Sequence, residues 1–306
     1  MTTASVQAGA VGVDGVMSSV AGAPVHLTDC PRCGYDLGGV IKAWSASCPL
    51  EGECSECGLT FAWCDVILGS LRPPKWSFEH AKRWLVWRLE RTLARSLTPW
   101  RLWRTLRMEH PVRLGRLAVY LIGALVVYTT TLLVLGIAEP LVWNAVQGRG
   151  AWTWTQMSRE NGAALVVRAI WPYSDRYWSG GSSLDGTAPL LCIISAATML
   201  VPVCFVLLPS TLRSCRVRRV HLVRIGAYSV AGVTAPWLLL RMIDLFAASG
   251  LMVPLVWVIE TKWLAPTGSA LWLLFYWPLA CRQYLRLPHA LGVGVSIAAI
   301  SLLLTT

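Results

Sequence analysis

The stretches CPRCGYDLGG (residues 30–39) and CPLEGECSECGLTF (residues 48–61) each contain a pair of cysteines separated by two residues. Twenty residues lie between the pairs, a spacing at which two tight turns present four thiolates to one tetrahedral zinc ion. A glycine, Gly34 or Gly58, follows each pair and allows a positive φ, so that backbone N–H groups can point at sulfur. The sequence therefore predicts one zinc site with four ligands: Cys30, Cys33, Cys54 and Cys57.

The predicted zinc is expected to be structural. Catalytic zinc keeps an open coordination position, usually with histidine or carboxylate among three protein ligands, whereas four cysteines close the coordination sphere. Metal binding would also supply folding free energy to a segment too small to bury a sizeable core. Disulfides are the alternative, and they are disfavoured because no charged-then-apolar export signal precedes Arg32. Four ordinary buried thiols would have no reason to repeat this spacing.

Two further cysteines, Cys48 and Cys64, lie near the predicted ligands. Either could replace a ligand, or both could help to hold a second ion, although two complete sites would need eight ligands. The simpler interpretation treats each as a small buried apolar residue.

Charge is divided unevenly along the chain, whose net formal charge is +11. Residues 1–71 have a net charge of −5, residues 72–116 have +9, and the remainder contributes +7. A negative ribbon would repel phosphates instead of releasing their counterions, so nucleic acid is not an expected partner. We divide the chain into a disordered leader (1–28), a zinc ribbon (29–71), a basic connector (72–116) and a transmembrane domain (117–306).

Apolar residues dominate the second half of the chain. Hydrophobic residues make up 55% of the sequence and charged residues 14%, against roughly 25% charged in soluble domains. Five segments are long enough, or nearly so, for the roughly 30 Å hydrocarbon core of a bilayer. They are 117–138, 189–208, 225–247, 264–281 and 290–304. The predicted fold class is mainly α: a polytopic helical membrane protein with about five transmembrane helices and a small cytoplasmic zinc ribbon. The stretch 251–260 could be a further span, a re-entrant piece or an interfacial piece.

Arginines in the short loops predict the orientation of these spans. Arg113 and Arg116 precede the first span, and Arg282 and Arg286 lie between the fourth and the fifth. The loop between the second and third spans contains five arginines: Arg213, Arg216, Arg218, Arg219 and Arg224. Since basic loops face the cytoplasm, we expect a multi-pass protein of the plasma (inner) membrane with its amino terminus inside and its carboxyl terminus outside.

Arg241 and Asp244 lie three residues apart in the third predicted span and would share one helix face. Intramembrane charge marks a transport pathway by default. However, Arg241 lies seventeen residues after Arg224, about 25 Å along a helix. The pair then approaches the outer interface, where long side chains reach water at little cost. We favour the interface and keep an intramembrane pair in a transport pathway as the alternative.

The basic connector contains two helical patterns. Five apolar residues recur at helical spacing: Phe78, Ala81, Leu85, Leu89 and Leu93. Thr98 and Pro99 form a cap and first-turn pair that predicts a second helix. Basic amphipathic helices with tryptophan lie on membrane surfaces, so we expect the lipid bilayer, and anionic lipids in particular, as partners. The predicted membrane-surface contacts are Lys82, Arg83, Arg88, Arg91, Arg95, Arg101 and Arg104. The alternative is a helix pair packed on the ribbon.

Signatures of enzymes are lacking in the sequence. Its five histidines are scattered, and neither a nucleophile elbow nor a P-loop is present. We therefore expect a non-enzymatic membrane protein whose cytoplasmic ribbon binds or positions a protein partner. The competing hypothesis is a transporter or membrane enzyme with a site between the transmembrane helices. A broken helix near residues 250–254, with Arg241 and Asp244 turned inward, would favour the competing hypothesis.

Two resemblances accompany these patterns. CPRCGYDLGG…CPLEGECSECGLTFAW resembles the amino-terminal zinc ribbon of uncharacterised bacterial membrane proteins over about residues 30–64, and this resemblance implies the same four cysteine ligands. The basic segment TPWRLWRTLRMEHPVRLGRLAVYLIGAL (residues 98–125), which leads into the predicted spans, is similar in layout to the Yip family of membrane proteins. That similarity implies a membrane-trafficking or scaffold-like role without catalytic residues.

Overall fold

A computed structural model of the chain describes residues 29–44, 47–68, 73–81, 86–146, 148, 216–249, 264–287 and 292. Helices predominate in this part of the chain, as predicted. In chain order the elements are α1 (Gly38–Lys42), β1 (Glu51–Glu53), β2 (Thr60–Ala62), α2 (Trp63–Leu68), α3 (Val86–Ser96), α4 (Pro99–Thr105), α5 (Leu114–Val146), α6 (Arg219–Ala248) and α7 (Leu264–Gln283).

Two helices, α5 and α6, are long and apolar enough to cross a membrane, by their length and composition. They contain the first and third predicted spans. The fourth predicted segment, 264–281, forms most of α7, which does not meet the same criteria. The segments 189–208 and 290–304, apart from residue 292, and the stretch 251–260 lie outside the described residues. The expected total of about five spans therefore stays a prediction.

Helix α6 is the central helix of the described part, because it packs against both α5 and α7. Small residues bring α6 and α7 close together. A Cβ atom at Gly232 would lie 1.8 Å from the Trp272 ring, so only glycine fits there. Ser269 of α7 also donates a hydrogen bond of 2.8 Å to the carbonyl oxygen of Val233. Close backbone approach and interhelical hydrogen bonds of this kind are typical of helices that associate within membranes.

The ribbon, the connector and the nearby ends of the long helices share one hydrophobic core. Trp103 of α4 lies at its centre and is 2% exposed. Its ring centroid is 6.4 Å from that of Tyr228 in α6, 5.6 Å from that of Tyr276 in α7, and 4.9 Å from that of Tyr284. The connector is therefore packed on the helices and does not swing freely between them and the ribbon.

The apolar spacing does not form a helix at its start. Phe78 and Ala81 are buried but lie outside helices, and the described helix that includes Leu89 and Leu93 is α3. The reason is that the chain around Phe78 folds back along α3: Phe78 donates its N–H to Thr92 Oγ1 over 3.0 Å. Leu85 lies outside the described residues.

The second helix of the connector begins at Pro99, as predicted. Thr98 occupies the N-cap position, but its hydroxyl does not cap α4. Instead the Thr98 hydroxyl donates to the carbonyl oxygen of Arg95 over 3.1 Å, which ties the end of α3 to the start of α4.

Candidate metal centre

Four cysteine sulfur atoms lie close together at the centre of the ribbon. The Sγ atoms of Cys30, Cys33, Cys54 and Cys57 all lie within 4.8 Å of one another. Cys30 Sγ is 3.7 Å from Cys57 Sγ, and Cys33 Sγ is 3.6 Å from Cys54 Sγ. These distances exclude disulfide bonds, whose sulfur atoms lie about 2.05 Å apart. A tetrahedron with metal–sulfur bonds of about 2.3 Å has edges of about 3.8 Å, so the four predicted ligands can hold one metal ion.

The backbone turn that presents each cysteine pair has the same structure in both places. Gly34 donates its N–H to the carbonyl oxygen of Cys30 over 2.9 Å, and Gly58 donates to that of Cys54 over 2.9 Å. The φ angle is +79° at Gly34 and +64° at Gly58, where L side chains would be strained. The predicted positive φ after each cysteine pair is confirmed.

A short antiparallel pairing closes each of these turns. Asp29 pairs with Asp36 around the first turn, and Glu53 pairs with Thr60, in β1 and β2, around the second. The two pairings stand at equivalent positions, 24 residues apart in sequence. Since each comprises very few backbone hydrogen bonds, a bound metal ion would contribute much of the free energy that holds the two turns together.

Burial favours the protonated form of two of the four thiols. It raises the pKa of the Cys30 thiol well above its ordinary value, and it raises the pKa of Cys57 to about 11. Both groups are therefore thiols at neutral pH unless a cation is present. Because a metal ion binds the thiolate, binding would release protons, and the affinity for the metal would fall as the pH falls.

Cys48 and Cys64 do not belong to the candidate metal centre. The group of close ligand atoms among the described residues contains only the four predicted cysteines. Both Cys48 and Cys64 are exposed, so the interpretation of each as a buried apolar residue is wrong. The Cys48 thiol donates a hydrogen bond of 3.3 Å to the carbonyl oxygen of Pro49.

A buried ion pair that no sequence pattern predicted joins the connector to α6. Arg224 and Glu79 are both fully buried, and Arg224 Nη2 lies 2.8 Å from Glu79 Oε2. Tyr228 donates to the same oxygen over 3.2 Å, and the Arg113 N–H donates to Glu79 Oε1 over 2.9 Å. Arg224 was assigned to the basic loop before the third span, whereas it lies within α6. A glutamate within the strongly basic connector, which contains three acidic residues, was the signal that could have identified its partner.

The predicted membrane-surface residues are mostly exposed on α3 and α4. Arg91, Arg95, Arg101 and Arg104 are exposed, and Arg88 is half-buried. The guanidinium carbon of Arg91 lies 4.4 Å from the Trp87 ring centroid, and that of Arg95 lies 4.6 Å from the Trp76 ring centroid.

The remaining two predicted membrane-surface residues, Lys82 and Arg83, lie outside the described residues. Basic residues beside tryptophan are typical of amphipathic helices that lie on membrane surfaces.

Arg241 and Asp244 lie together near the far end of α6, as their spacing predicts. Arg241 Nη1 is 3.9 Å from Asp244 Oδ2 and 3.5 Å from Glu139 Oε2 on α5. The side chain of Arg241 is 7% exposed, so this charge is buried between two carboxylates. The contact of Arg241 with Glu139 was not predicted, because residues on different helices show no mutual spacing in the sequence.

No protein-family model, curated protein or solved structure matches this chain. The resemblance of its second half to the Yip family therefore stays an expectation from layout, and what stands on the geometry is a four-cysteine cluster that can bind a metal ion.

Proposed function

We propose that this chain is an integral membrane protein of the plasma membrane that holds one structural zinc ion and acts as a non-enzymatic scaffold. The observation that carries the proposal is the closed set of four cysteine ligands in a ribbon that is hydrogen-bonded to the start of a membrane-length helix, α6. A closed site leaves no coordination position for a substrate. The ribbon is then a rigid platform on which a cytoplasmic protein can be positioned.

Zinc is the metal that this ligand set favours. Four thiolates in tetrahedral arrangement select zinc or iron over magnesium or calcium, which bind oxygen ligands. The sulfur separations of 3.6 Å and 3.7 Å suit zinc–thiolate bonds of about 2.3 Å. When bound, the ion contributes folding free energy and no catalysis.

The connector is proposed to lie against the cytoplasmic headgroups. Four arginines of α3 and α4 are exposed, and the apolar residues on the opposite sides of these two helices pack on the long helices. Each arginine near an anionic leaflet gains on the order of 1 kcal/mol. The amino terminus would then be cytoplasmic, where reducing conditions preserve zinc thiolates.

The scaffold role is tested by photocrosslinking in native membranes. A photoreactive amino acid replaces Leu50, which is 88% exposed on the ribbon, or Val126, which is 56% exposed on α5. We expect one discrete protein adduct at Leu50 that disappears when Cys33→Ser removes the metal, and none at Val126. Zinc-loaded protein that forms no adduct at Leu50, or the same adduct at both positions, would contradict a ribbon-directed scaffold.

A second function, a transporter or membrane enzyme with a site between the helices, draws support from the buried cluster of Arg241, Glu139 and Asp244. Buried charge at membrane depth is costly and commonly serves ion or proton movement. Proton flux into proteoliposomes that is abolished by Glu139→Gln would favour this function over the scaffold.

A further inference from the structure

The two residues between the first pair of metal ligands differ in environment from those between the second pair. Pro31 and Arg32 are buried, whereas the equivalent residues of the second turn, Ser55 and Glu56, are exposed. The two turns have the same backbone structure, so the metal site itself does not require the first pair to be buried. What buries Pro31 and Arg32 is the contact of the first turn with the long helices.

Arg32 joins both metal-binding turns to the ends of two helices. Its Nη2 donates to the carbonyl oxygens of Leu285, over 2.8 Å, and Arg286, over 2.7 Å, just beyond the carboxyl end of α7. Its Nη1 donates over 3.3 Å to the carbonyl oxygen of the ligand Cys57 in the second turn. The carbonyl oxygen of Arg32 accepts the N–H of Arg218, the N-cap residue of α6, over 2.9 Å.

A cation suits the place that the Arg32 guanidinium occupies. The last carbonyl groups of a helix lack partners within the helix and carry partial negative charge. Arg32 satisfies carbonyl groups just past the end of α7, and its own carbonyl group satisfies an N–H at the start of α6. The first metal-binding turn is therefore hydrogen-bonded both to the segment that follows α7 and to the N-cap residue of α6.

Pro31 begins a chain of hydrogen bonds that leads to the buried ion pair. His221 Nε2 lies 2.7 Å from the carbonyl oxygen of Pro31, and His221 Nδ1 lies 2.8 Å from Tyr284 Oη. Arg224 Nη1 donates to Tyr284 Oη over 3.0 Å, and the same guanidinium is paired with Glu79. A continuous polar path thus runs from the metal-binding turn to the connector.

Chemistry fixes the direction of every bond in this path. A carbonyl oxygen only accepts, so His221 Nε2 carries the hydrogen and donates to Pro31. Arg224 only donates, so the Tyr284 oxygen accepts from it. In a neutral His221 that carries its hydrogen on Nε2, the Nδ1 atom is an acceptor, so the Tyr284 hydroxyl donates to Nδ1. Each residue of the path can form its hydrogen bonds in only one direction. Displacing Pro31 would therefore leave the buried N–H group of His221 without an acceptor. Such a loss costs on the order of 1–3 kcal/mol.

We infer that metal binding and the packing of the ribbon-side ends of α6 and α7 are one linked equilibrium, transmitted by Pro31 and Arg32. The metal holds Cys30 and Cys33 in the turn that presents the Pro31 carbonyl and the Arg32 guanidinium to the helices. Without the metal the turn is released and the helix ends lose these partners. By reciprocity, loss of the helix contacts weakens the hold on the metal by the same factor.

This inference rests on metal occupancy of the proposed zinc site and goes beyond it, because a structural zinc ion could equally stabilise a ribbon that has no effect on the helices. The linkage makes the metal state of the ribbon detectable in the helices. Cys281, near the carboxyl end of α7, reports on those helix ends, since it is fully buried and its carbonyl oxygen accepts the N–H of Leu287. Cys64 is exposed and serves as an internal reference for thiol reactivity.

The first experiment compares zinc-loaded and chelator-treated full-length protein in detergent. Both are treated with a maleimide, and the labelling rate of each cysteine is read by peptide mass spectrometry. We expect zinc removal to raise the labelling rate of Cys281 at least about fivefold, the low end of typical coupling, while that of Cys64 stays constant. Cys281 that stays protected while all four ligand cysteines become labelled would overturn the linkage and leave the zinc site intact.

The second experiment reads the linkage in the other direction, as the rate of zinc transfer to a chromogenic chelator. Arg32→Ala should release zinc at least about fivefold faster than wild type. The control is Ser55→Ala, which changes the residue of the second turn that is equivalent to Pro31 and should release zinc at the wild-type rate. Tyr284→Phe removes one hydroxyl from the path and should also accelerate release, which keeps the test decisive if Arg32→Ala does not fold. Equal release from Tyr284→Phe, Ser55→Ala and wild type would overturn the inference. Protein that contains no zinc at all would overturn the zinc site as well.

Discussion

The guanidinium group of Arg224 and the carboxylate of Glu79 form an ion pair of 2.8 Å between two side chains that are both fully buried. Arg224 also donates to the carbonyl oxygens of His110 and Pro111, over 3.1 Å in each case. Its hydrogen-bonding capacity is therefore used by the connector and by Tyr284. These contacts join α6 to the segment that precedes α5. Arg224 therefore has a structural role and is not an exposed basic residue of a loop.

Breaking this pair should be strongly destabilising. Glu79→Gln removes the charge that compensates a fully buried guanidinium, and removal of one partner of a buried pair costs about 3–5 kcal/mol. Chemical denaturation in detergent gives the free energy of unfolding of each variant. The midpoint of thermal unfolding gives a second comparison of their stability. The control is Arg216→Gln, which breaks an exposed pair with Glu56 and should cost less than about 1 kcal/mol. A Glu79→Gln protein as stable as this control would refute the assigned role.

The four ligands should be separable from the two other ribbon cysteines by single substitutions. Cys33→Ser removes a sulfur that lies 3.6 Å from Cys54 Sγ, and it should abolish stoichiometric zinc. Cys64→Ser changes an exposed thiol outside the cluster and should leave one zinc per chain. Both are checked by elemental analysis of protein purified without added chelator. Loss of zinc from Cys64→Ser would assign that thiol to the metal centre.

Acid should destabilise the protein in part through His80. Burial, and to a smaller extent the nearby charges of Arg224, His110 and Arg113, together lower the pKa of His80 to about 3. The unfolded chain has an ordinary histidine pKa of about 6.5, so it binds a proton that the folded protein does not. Stability is therefore complete above about pH 6.5 and falls on the order of 1 kcal/mol per unit as the pH drops toward 3.

The His80 contribution is measured by comparison with His80→Phe, which keeps an aromatic ring without a titrating group. Unfolding free energies are determined between pH 7 and pH 5 at saturating zinc, so that both proteins have the same metal occupancy at each pH. The variant should show a shallower loss of stability with falling pH. Parallel curves for the two proteins would mean that His80 does not contribute.

Anionic lipid should associate with the exposed arginines of α4. The double substitution Arg101→Gln and Arg104→Gln removes two exposed charges without touching the buried residues Leu102 and Trp103. Native mass spectrometry of protein extracted from mixed bilayers should detect fewer bound phosphatidylglycerol molecules and an unchanged number of phosphatidylcholine molecules. Equal losses of both lipids, or no loss, would argue against a charge-directed membrane surface.

The topology prediction concerns the chain as a whole. Two candidate spans are described, whereas the loop charges and apolar segments predict about five, with the carboxyl terminus outside. A carboxyl-terminal reporter that is active only in the cytoplasm should therefore be silent. An active reporter would require an even number of spans, and the stretch 251–260 is the first segment to reassign.

The metal centre could be predicted from sequence because its information is local. Two residues separate the cysteines of each pair, and a glycine follows, so the spacing specifies both the ligands and the positive φ angles. The start of α4 could also be predicted from sequence, because Pro99 favours the first turn of the helix in which it lies. By contrast, Arg224 and Glu79 are 145 residues apart. Their attraction depends on packing that no local pattern encodes, and a cluster of arginines is read by default as an exposed loop.

The same limit applies to the connector. The spacing of Phe78 and Ala81 fits a helix, but Thr92 Oγ1 accepts the N–H of Phe78 and holds that segment in a folded-back turn. Glu139 could not be assigned to Arg241 for a similar reason, since the two residues belong to different helices. Sequence periodicity describes one element at a time, whereas these contacts form between elements.

X-ray absorption at the zinc edge of the purified full-length protein tests the central claim of a closed four-thiolate site most directly. The sulfur atoms lie at the separations of a tetrahedron around one ion, so we predict one zinc per chain with four sulfur neighbours at about 2.3 Å and no nitrogen or oxygen neighbour. A spectrum with fewer than four sulfur neighbours, or a content of two zinc ions per chain, would contradict the account.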